Sequence, residues 1–191
     1  MFDTLDAQLK RFSPRLRDDL KLTPSESAAV ATTIADELTA LSMRADDDPI
    51  AFGARCDELT AFQGFMDASQ PVASSPFVAR ARVLVQNYVC FVYLKEAWLE
   101  GLREAAPATS VLHRCASYLT AGKVRAFRNA LSHARWRYLS DFSGLEYWDR
   151  ASGNRSAPLQ RFEVTQLELD FWQTLIRAVC YTVAASPRSA R

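Results

Sequence analysis

Apolar positions along this chain recur three and four residues apart over most of its length, the period of helices that turn one face to a core. The stretch "LTPSESAAVATTIADELTALSM" opens with Thr23, Pro24 and Glu26. These are an N-cap, a first-turn proline and a capping-box acid, and they predict a helix from Pro24 to Met43. "ADDDP" interrupts the pattern, and Pro49 starts a second predicted helix that ends near Asp67. The Pro- and Ser-rich "ASQPVASSP" reads as a connection. From Phe77 to about Glu104 the chain is apolar on more than one side, which predicts a long central helix. Ser110 or Thr109 caps a short helix through "VLHRCASYL", and after Gly122 the segment "KVRAFRNALSHARWRYL" reads as another. Two short aromatic and β-branched runs in "LEYWDRASGNRSAPLQRFEV", around Ser, Gly, Asn and Pro, predict a small β-hairpin. A last helix runs from Thr165, with Glu168 completing a capping box, to a frayed "SPRSAR".

Composition supports a helical reading. The chain has 191 residues, enough for one ordinary core, and only six glycines, few for a turn-rich sheet protein. The expected class is all-α: an antiparallel helical bundle over residues 71–191, with a small hairpin insertion and an N-terminal helical extension over residues 1–70. "MFDTLDAQLKRF" lacks the apolar stretch of a secretory signal. The longest apolar run, "VLVQNYVCFVYL", is too short to cross about 30 Å of hydrocarbon. No membrane association and a cytoplasmic location are therefore expected. Four cysteines stand far apart without CxxC spacing and read as small core residues. The acidic run Asp46, Asp47, Asp48 points in several directions and reads as the approach to the helix at Pro49. No metal and no cofactor are expected, since zinc spacing, a phosphate-cradling Gly-rich loop and a nucleophile elbow are all missing.

A net charge of +1 conceals an uneven distribution. Residues 1–67 hold 13 acidic and 7 basic side chains, whereas residues 68–191 hold 9 acidic and 16 basic ones. Between Glu104 and Asp141 there is no carboxylate, while Arg114, Lys123, Arg125, Arg128, Arg135 and Arg137 all fall there. Such a field attracts a polyanion such as RNA; it equally suits pairing with the acidic N-terminal part of this chain or of a second copy. The negative N-terminal helices could also cover the basic region, standing in for RNA.

Within that basic region, "KVRAFRNALSHARW" carries His133, one of only two histidines. On a helix Asn129 and His133 share a face, Arg125 lies one turn before Asn129, and Arg128 and Ser132 form the adjacent row. Amide, imidazole, hydroxyl and guanidinium together suit phosphodiester chemistry. Imidazole can take a proton from a ribose 2′-OH or give one to a leaving 5′-oxygen, and guanidinium can hold the charge growing on the phosphate. The same residues also fit a plain structural role, in which Asn129 and His133 hydrogen-bond within a bundle and the arginines are solvated. His113, in "VLHRC", has no acid or second histidine at ligand spacing and reads as a packing or surface residue.

"RNALSH", Arg128 to His133, resembles the Arg-x4-6-His motif of the HEPN superfamily, in which Asn often follows the Arg directly. The order of elements over about residues 77–186 is similar as well. The resemblance implies a metal-independent endoribonuclease acting as a homodimer, whose two motif helices face each other across a cleft and so supply two histidines. It implies Arg128 at the scissile phosphate, Asn129 orienting the site and His133 as acid or base. Lys123, Arg125, Arg135 and Arg137 would guide RNA, and Glu96 or Glu100 would brace the arginine. Many members are toxins or antiphage defence effectors held in check by an antitoxin or other regulatory protein. Members paired with nucleotidyltransferase-type antitoxins carry Tyr two residues after the His, where this chain has Arg135. The alternatives are a non-catalytic helical module that binds a nucleotide or nucleic acid, and a structural dimerisation bundle.

Overall fold

The computed structural model describes residues 2–41, 61, 84–93, 96–150 and 156–185. Within them the chain is mostly helical, with one small antiparallel sheet. The predicted helix from Pro49 to Asp67, the connection after it and the expected boundary near residue 70 lie outside these residues, apart from position 61. So do Cys56 and the acidic run at residues 46–48.

Helices α1 (Phe2–Lys10) and α2 (Ser13–Leu20) present Leu5, Leu9, Leu16 and Leu20 to the core, at the spacing that puts one stripe inward. The helix predicted from Pro24 is two: α3 (Pro24–Ala28) and α4 (Val30–Leu41), parted at Ala29, whose φ is −142° and ψ is 48°. The predicted capping box is present. Thr23 Oγ1 accepts from the Glu26 amide at 3.3 Å, and Glu26 Oε2 accepts from the Thr23 amide at 2.7 Å. The break follows from a second cap that local sequence could not reveal. Asp6 of α1 is buried and accepts from the amides of Ala31 (2.6 Å) and Thr32 (3.2 Å) and from Thr32 Oγ1 (2.7 Å). A carboxylate from another helix thus starts α4 afresh.

Residues 84–88 are helical and lead into a π-helical turn, Val89–Tyr93, followed by α5 (Glu96–Ala105). The long helix expected from Phe77 to Glu104 is therefore interrupted. The wider turn carries Phe91 into the core, where its ring meets those of Phe127 (5.3 Å) and Trp172 (6.3 Å) edge-on. Next comes α6 (Val111–Thr120), capped by Ser110, which accepts from the His113 amide at 3.0 Å. Glu37 of α4 accepts from the Val111 and Leu112 amides at 2.7 and 2.9 Å, a second cap delivered from a distant helix.

Helix α7 (Gly122–Ser132) ends seven residues earlier than its apolar pattern suggests. Ala134, with φ of 54°, is left-handed; its amide bonds the Leu131 carbonyl at 3.3 Å and the Arg135 amide bonds the Ala130 carbonyl at 2.8 Å. This is a Schellman turn with alanine in the place usually taken by glycine. Ala134→Gly removes the left-handed penalty on the Cβ, which exceeds the added entropy of glycine. It is expected to raise unfolding stability by about 0.5–1 kcal/mol, measurable by urea titration; a fall in stability would contradict the assignment.

Because α7 stops there, the expected hairpin gains a strand. β1 (Trp136–Tyr138), β2 (Gly144–Arg150) and β3 (Leu159–Thr165) form an antiparallel sheet in that order. The register pairs Trp136 with Tyr147 and Tyr147 with Phe162, so Leu145, Tyr147 and Val164 face α7 and the core. Gly144 permits this approach, since a Cβ there would lie 2.1 Å from the Val164 carbonyl oxygen.

The closing helix, α8 (Gln166–Ala185), begins at Thr165, whose Oγ1 accepts from the Glu168 amide at 3.2 Å. The Glu168 side chain binds Arg15 of α2 at 3.2 Å, where the sequence suggested the other half of a capping box. Leu169, Phe171, Trp172, Leu175, Ile176, Val179 and Cys180 are all buried, which makes α8 the helix around which α1, α4, α6 and β3 pack. The sequence suggested that role for the segment from Phe77 to Glu104; among the described residues it belongs to α8. Helices α1–α4 share one apolar cluster with α5–α8 and the sheet.

Three acidic side chains of the described N-terminal helices are used inside this fold. Asp6 and Glu37 cap helices, and Glu26 pairs with Arg114 at 2.5 Å. The hydrogen bond from Arg114 is the main cause that holds the Glu26 carboxyl below its ordinary 4.5. A carboxyl held low in the folded state adds stability above its unfolded value, and that increment is lost as pH falls through the folded value. Wild-type protein is expected to exceed Arg114→Ala in stability at neutral pH, and the gap should narrow as pH is lowered from about 5 towards 3, to the part that the Arg114 bonds to the Ser110 and Lys21 carbonyls contribute. Chemical denaturation at each pH checks this, and a gap that stays constant would contradict it.

Candidate functional site

The site is assembled at the C-terminal end of α7. Val124, Phe127, Ala130 and Leu131 hold the helix against the core, Phe127 meeting Tyr147 at 5.2 Å and Trp172 at 5.7 Å. Tyr147 also donates its hydroxyl to the Lys123 carbonyl at 3.1 Å, and burial pushes its phenol well above the ordinary value. The helix is thereby fixed to the sheet along its whole length. Asn129 and His133 then stand one turn apart, joined by a 3.1 Å backbone bond from the His133 amide to the Asn129 carbonyl.

The motif residues differ in exposure. His133 and Ser132 are exposed and Asn129 is half-buried, whereas Arg128 is only 7% exposed. Arg128 is thus placed beneath the surface on which Asn129 and His133 sit. Its backbone carbonyl accepts from Ser132 Oγ at 3.1 Å.

Asp149, on β2, is the residue the sequence reading missed. Its Oδ2 accepts from Asn129 Nδ2 at 2.9 Å, and its Oδ1 lies 3.5 Å from Arg135 Nη1. The Trp148 amide also donates to the Arg135 carbonyl at 3.0 Å, so the turn after α7 is fastened to β2 through side chain and backbone. A signal was available. Leu145, Tyr147 and Asp149 alternate along the strand, which puts a carboxylate on the core-facing side, where it needs a donor.

The expected RNA-guiding residues are not gathered at one spot. Arg125 is exposed one turn before Asn129. Arg135 is engaged by Asp149, and Arg137 pairs with Glu146 on the outer face of the sheet, where Arg161 binds the same carboxylate at 3.0 Å. Lys123 lies at the opposite end of α7, about 15 Å from His133 by helical rise. There it lines a cavity of about 410 Å³ with Arg15, Asp19, Tyr118, Glu168 and Trp172. Burial pushes the Tyr118 phenol in that cavity up to about 12. Of the two expected bracing acids, Glu100 is half-buried on α5, and the side chain of Glu96 lies outside the described residues.

His113 is accounted for by packing, since its Nδ1 donates to the carbonyls of Arg103 (2.8 Å) and Ala106 (3.2 Å) and closes the end of α5. Cys90, Cys115 and Cys180 are buried free thiols; burial pushes Cys90 up to about 11 and Cys115 up to about 12, far from the range of a reactive thiolate. Among the described residues no cluster of three or more His, Cys, Asp or Glu side chains could hold a metal ion, and no helix is long and apolar enough to cross a membrane. No protein-family model matches the chain, and neither the curated proteins nor the solved structures contain a match to it.

Proposed function

We propose that the protein is a metal-independent endoribonuclease of HEPN type, cleaving RNA by 2′-OH transesterification in a homodimer. The observation that supports this reading most directly is the exposed His133 one helical turn from an Asn129 whose amide is oriented by Asp149. In one subunit a single imidazole cannot be base and acid at once, and apposition of two α7 ends supplies the second. His133 of one copy takes the 2′-OH proton, the oxygen attacks phosphorus, and His133 of the other copy protonates the departing 5′-oxygen. Arg128 and Arg125 contribute positive potential where charge grows on the phosphate. A role as toxin or antiphage effector, restrained by a regulatory protein, follows from the same resemblance.

A second reading is favoured by a specific observation. Arg128 is buried, Asn129 and Arg135 share Asp149, and Arg137 and Arg114 are paired within the chain. These contacts suit a non-catalytic module in which the motif is structural and the surface binds nucleic acid or a second copy. Incubating RNA in EDTA with wild-type and His133→Ala protein separates the two. Products with 2′,3′-cyclic phosphate that vanish with the mutation support the enzyme; RNA left intact by both proteins supports the module.

A further inference from the structure

The carboxamide of Asn129 is not free to present either of its two faces. A carboxylate only accepts hydrogen bonds, and the 2.9 Å contact is made to Asp149 Oδ2 by the Asn129 amide nitrogen. The planar group then carries its carbonyl oxygen Oδ1 on the opposite branch, pointing away from the carboxylate. Asp149 is itself immobilised. Its other oxygen lies 3.5 Å from Arg135 Nη1, its side chain is 13% exposed, and its strand is bonded to the Arg135 carbonyl through the Trp148 amide. The outcome is a hydrogen-bond acceptor held in place one turn from an exposed imidazole, in a stretch of chain whose charges are otherwise cationic donors.

An acceptor is the wrong group for a phosphate oxygen, which itself accepts. It is the right group for a hydroxyl, and the 2′-OH is the hydroxyl that distinguishes RNA from DNA along a strand. We infer that Asp149 is a positioning residue that locks the Asn129 carbonyl oxygen outward, so that Asn129 accepts a hydrogen bond from a ribose 2′-OH and the site selects RNA over DNA. The inference rests on the proposed RNA-directed function. The hydroxyl read by Asn129 belongs to a nucleotide other than the attacking one, whose proton goes to His133. Without Asp149 the carboxamide can turn its nitrogen outward, and the preference is lost while cationic contacts to the backbone persist.

The test compares a fluorescently labelled single-stranded RNA with DNA of the same sequence, by anisotropy, using His133→Ala protein so that nothing is cleaved. The His133→Ala background is expected to bind RNA about fivefold more tightly, the worth of one hydrogen bond to a neutral group. Adding Asp149→Ala or Asn129→Ala should bring the RNA-to-DNA ratio to about one with DNA affinity within about twofold of the starting value. Asp149→Asn turns its oxygen to Arg135 and its NH2 to Asn129, which draws the Asn129 carbonyl oxygen inward, and it should lose the ratio as the alanine variants do. It also serves if Asp149→Ala does not fold. A ratio unchanged by Asp149→Ala in folded protein, equal affinity for both strands at the outset, or binding to neither overturns the inference. Failure of the ribonuclease reading looks different: wild-type protein would leave RNA intact while the Asp149-dependent preference stands. Cleavage with a preference indifferent to Asp149 would overturn the inference alone.

Discussion

His133→Ala is expected to lower RNA cleavage by about 10²–10⁴-fold, the usual contribution of a positioned acid–base group, while thermal stability stays within about 0.5 kcal/mol of wild type. The stability half of that expectation comes from the structure. His133 is exposed, and its ordered contact is a backbone amide bond that alanine also makes. A loss of cleavage therefore cannot be ascribed to unfolding. Cyclic-phosphate ends are the signature to monitor, because attack by a neighbouring 2′-OH produces them and attack by water does not. If the variant cleaves as fast as wild type, with the same ends, the proton-transfer role of His133 is wrong whatever else the protein does to RNA. Mixing wild-type with His133→Ala subunits adds a further check. A shared cleft needs two imidazoles, so activity should fall more steeply than the fraction of mutant subunits.

The second large effect concerns the fold. Trp172→Ala is expected to destabilise the protein by about 3–5 kcal/mol, enough to leave a marginally stable domain partly unfolded. Trp172 is wholly buried where three parts of the chain converge: Phe91 of the π-helical turn, Phe127 of α7, and Tyr118 of α6, whose hydroxyl accepts from the indole nitrogen at 3.0 Å. Alanine leaves a cavity there and removes the donor to Tyr118. Trp172→Phe keeps most of the volume and should fall at less than half the loss of alanine. Denaturant midpoints for the two variants give the comparison, and near-equal midpoints would mean that the site collapses around the change. Because Phe127 sits on the inner side of α7, the alanine variant should also perturb the motif end without touching it.

How far the fold could be read in advance depended on whether each determinant was local. The Thr23–Glu26 capping box, the Ser110 cap and the Thr165 start of the last helix are written in adjacent residues and stand where expected. The break at Ala29 was invisible because its cause is Asp6, which accepts from the Ala31 amide 25 positions later. The early end of α7 was invisible for another reason: alanine occupies the left-handed position, so the usual glycine signal is missing. From that single turn followed the third strand, which pattern alone had assigned to a helix. At the site, the Asn129–His133 spacing was legible from helical geometry, since both lie on one element. The Asp149 contact was not read, because it joins a helix to a strand 20 positions later, although the alternation through Tyr147 marked it. The burial of Arg128 runs against the expectation that a basic run is surface, and it follows from one more inward position in the row of Val124, Phe127 and Leu131.

The two long-range caps bear on how the molecule reaches this state. Helical proteins usually fold quickly because their contacts are close in sequence, each helix completing its own first turn. Here the Ala31 amide of α4 is capped by a carboxylate 25 residues upstream, and α6, besides its local Ser110 cap, has its first amides bound by one 74 residues upstream. Closing loops of that length must precede the bonds that reward it. The first turns of α4 and α6 are therefore fully satisfied only as the chain comes together, which makes assembly slower and more all-or-none than the helical content alone would suggest.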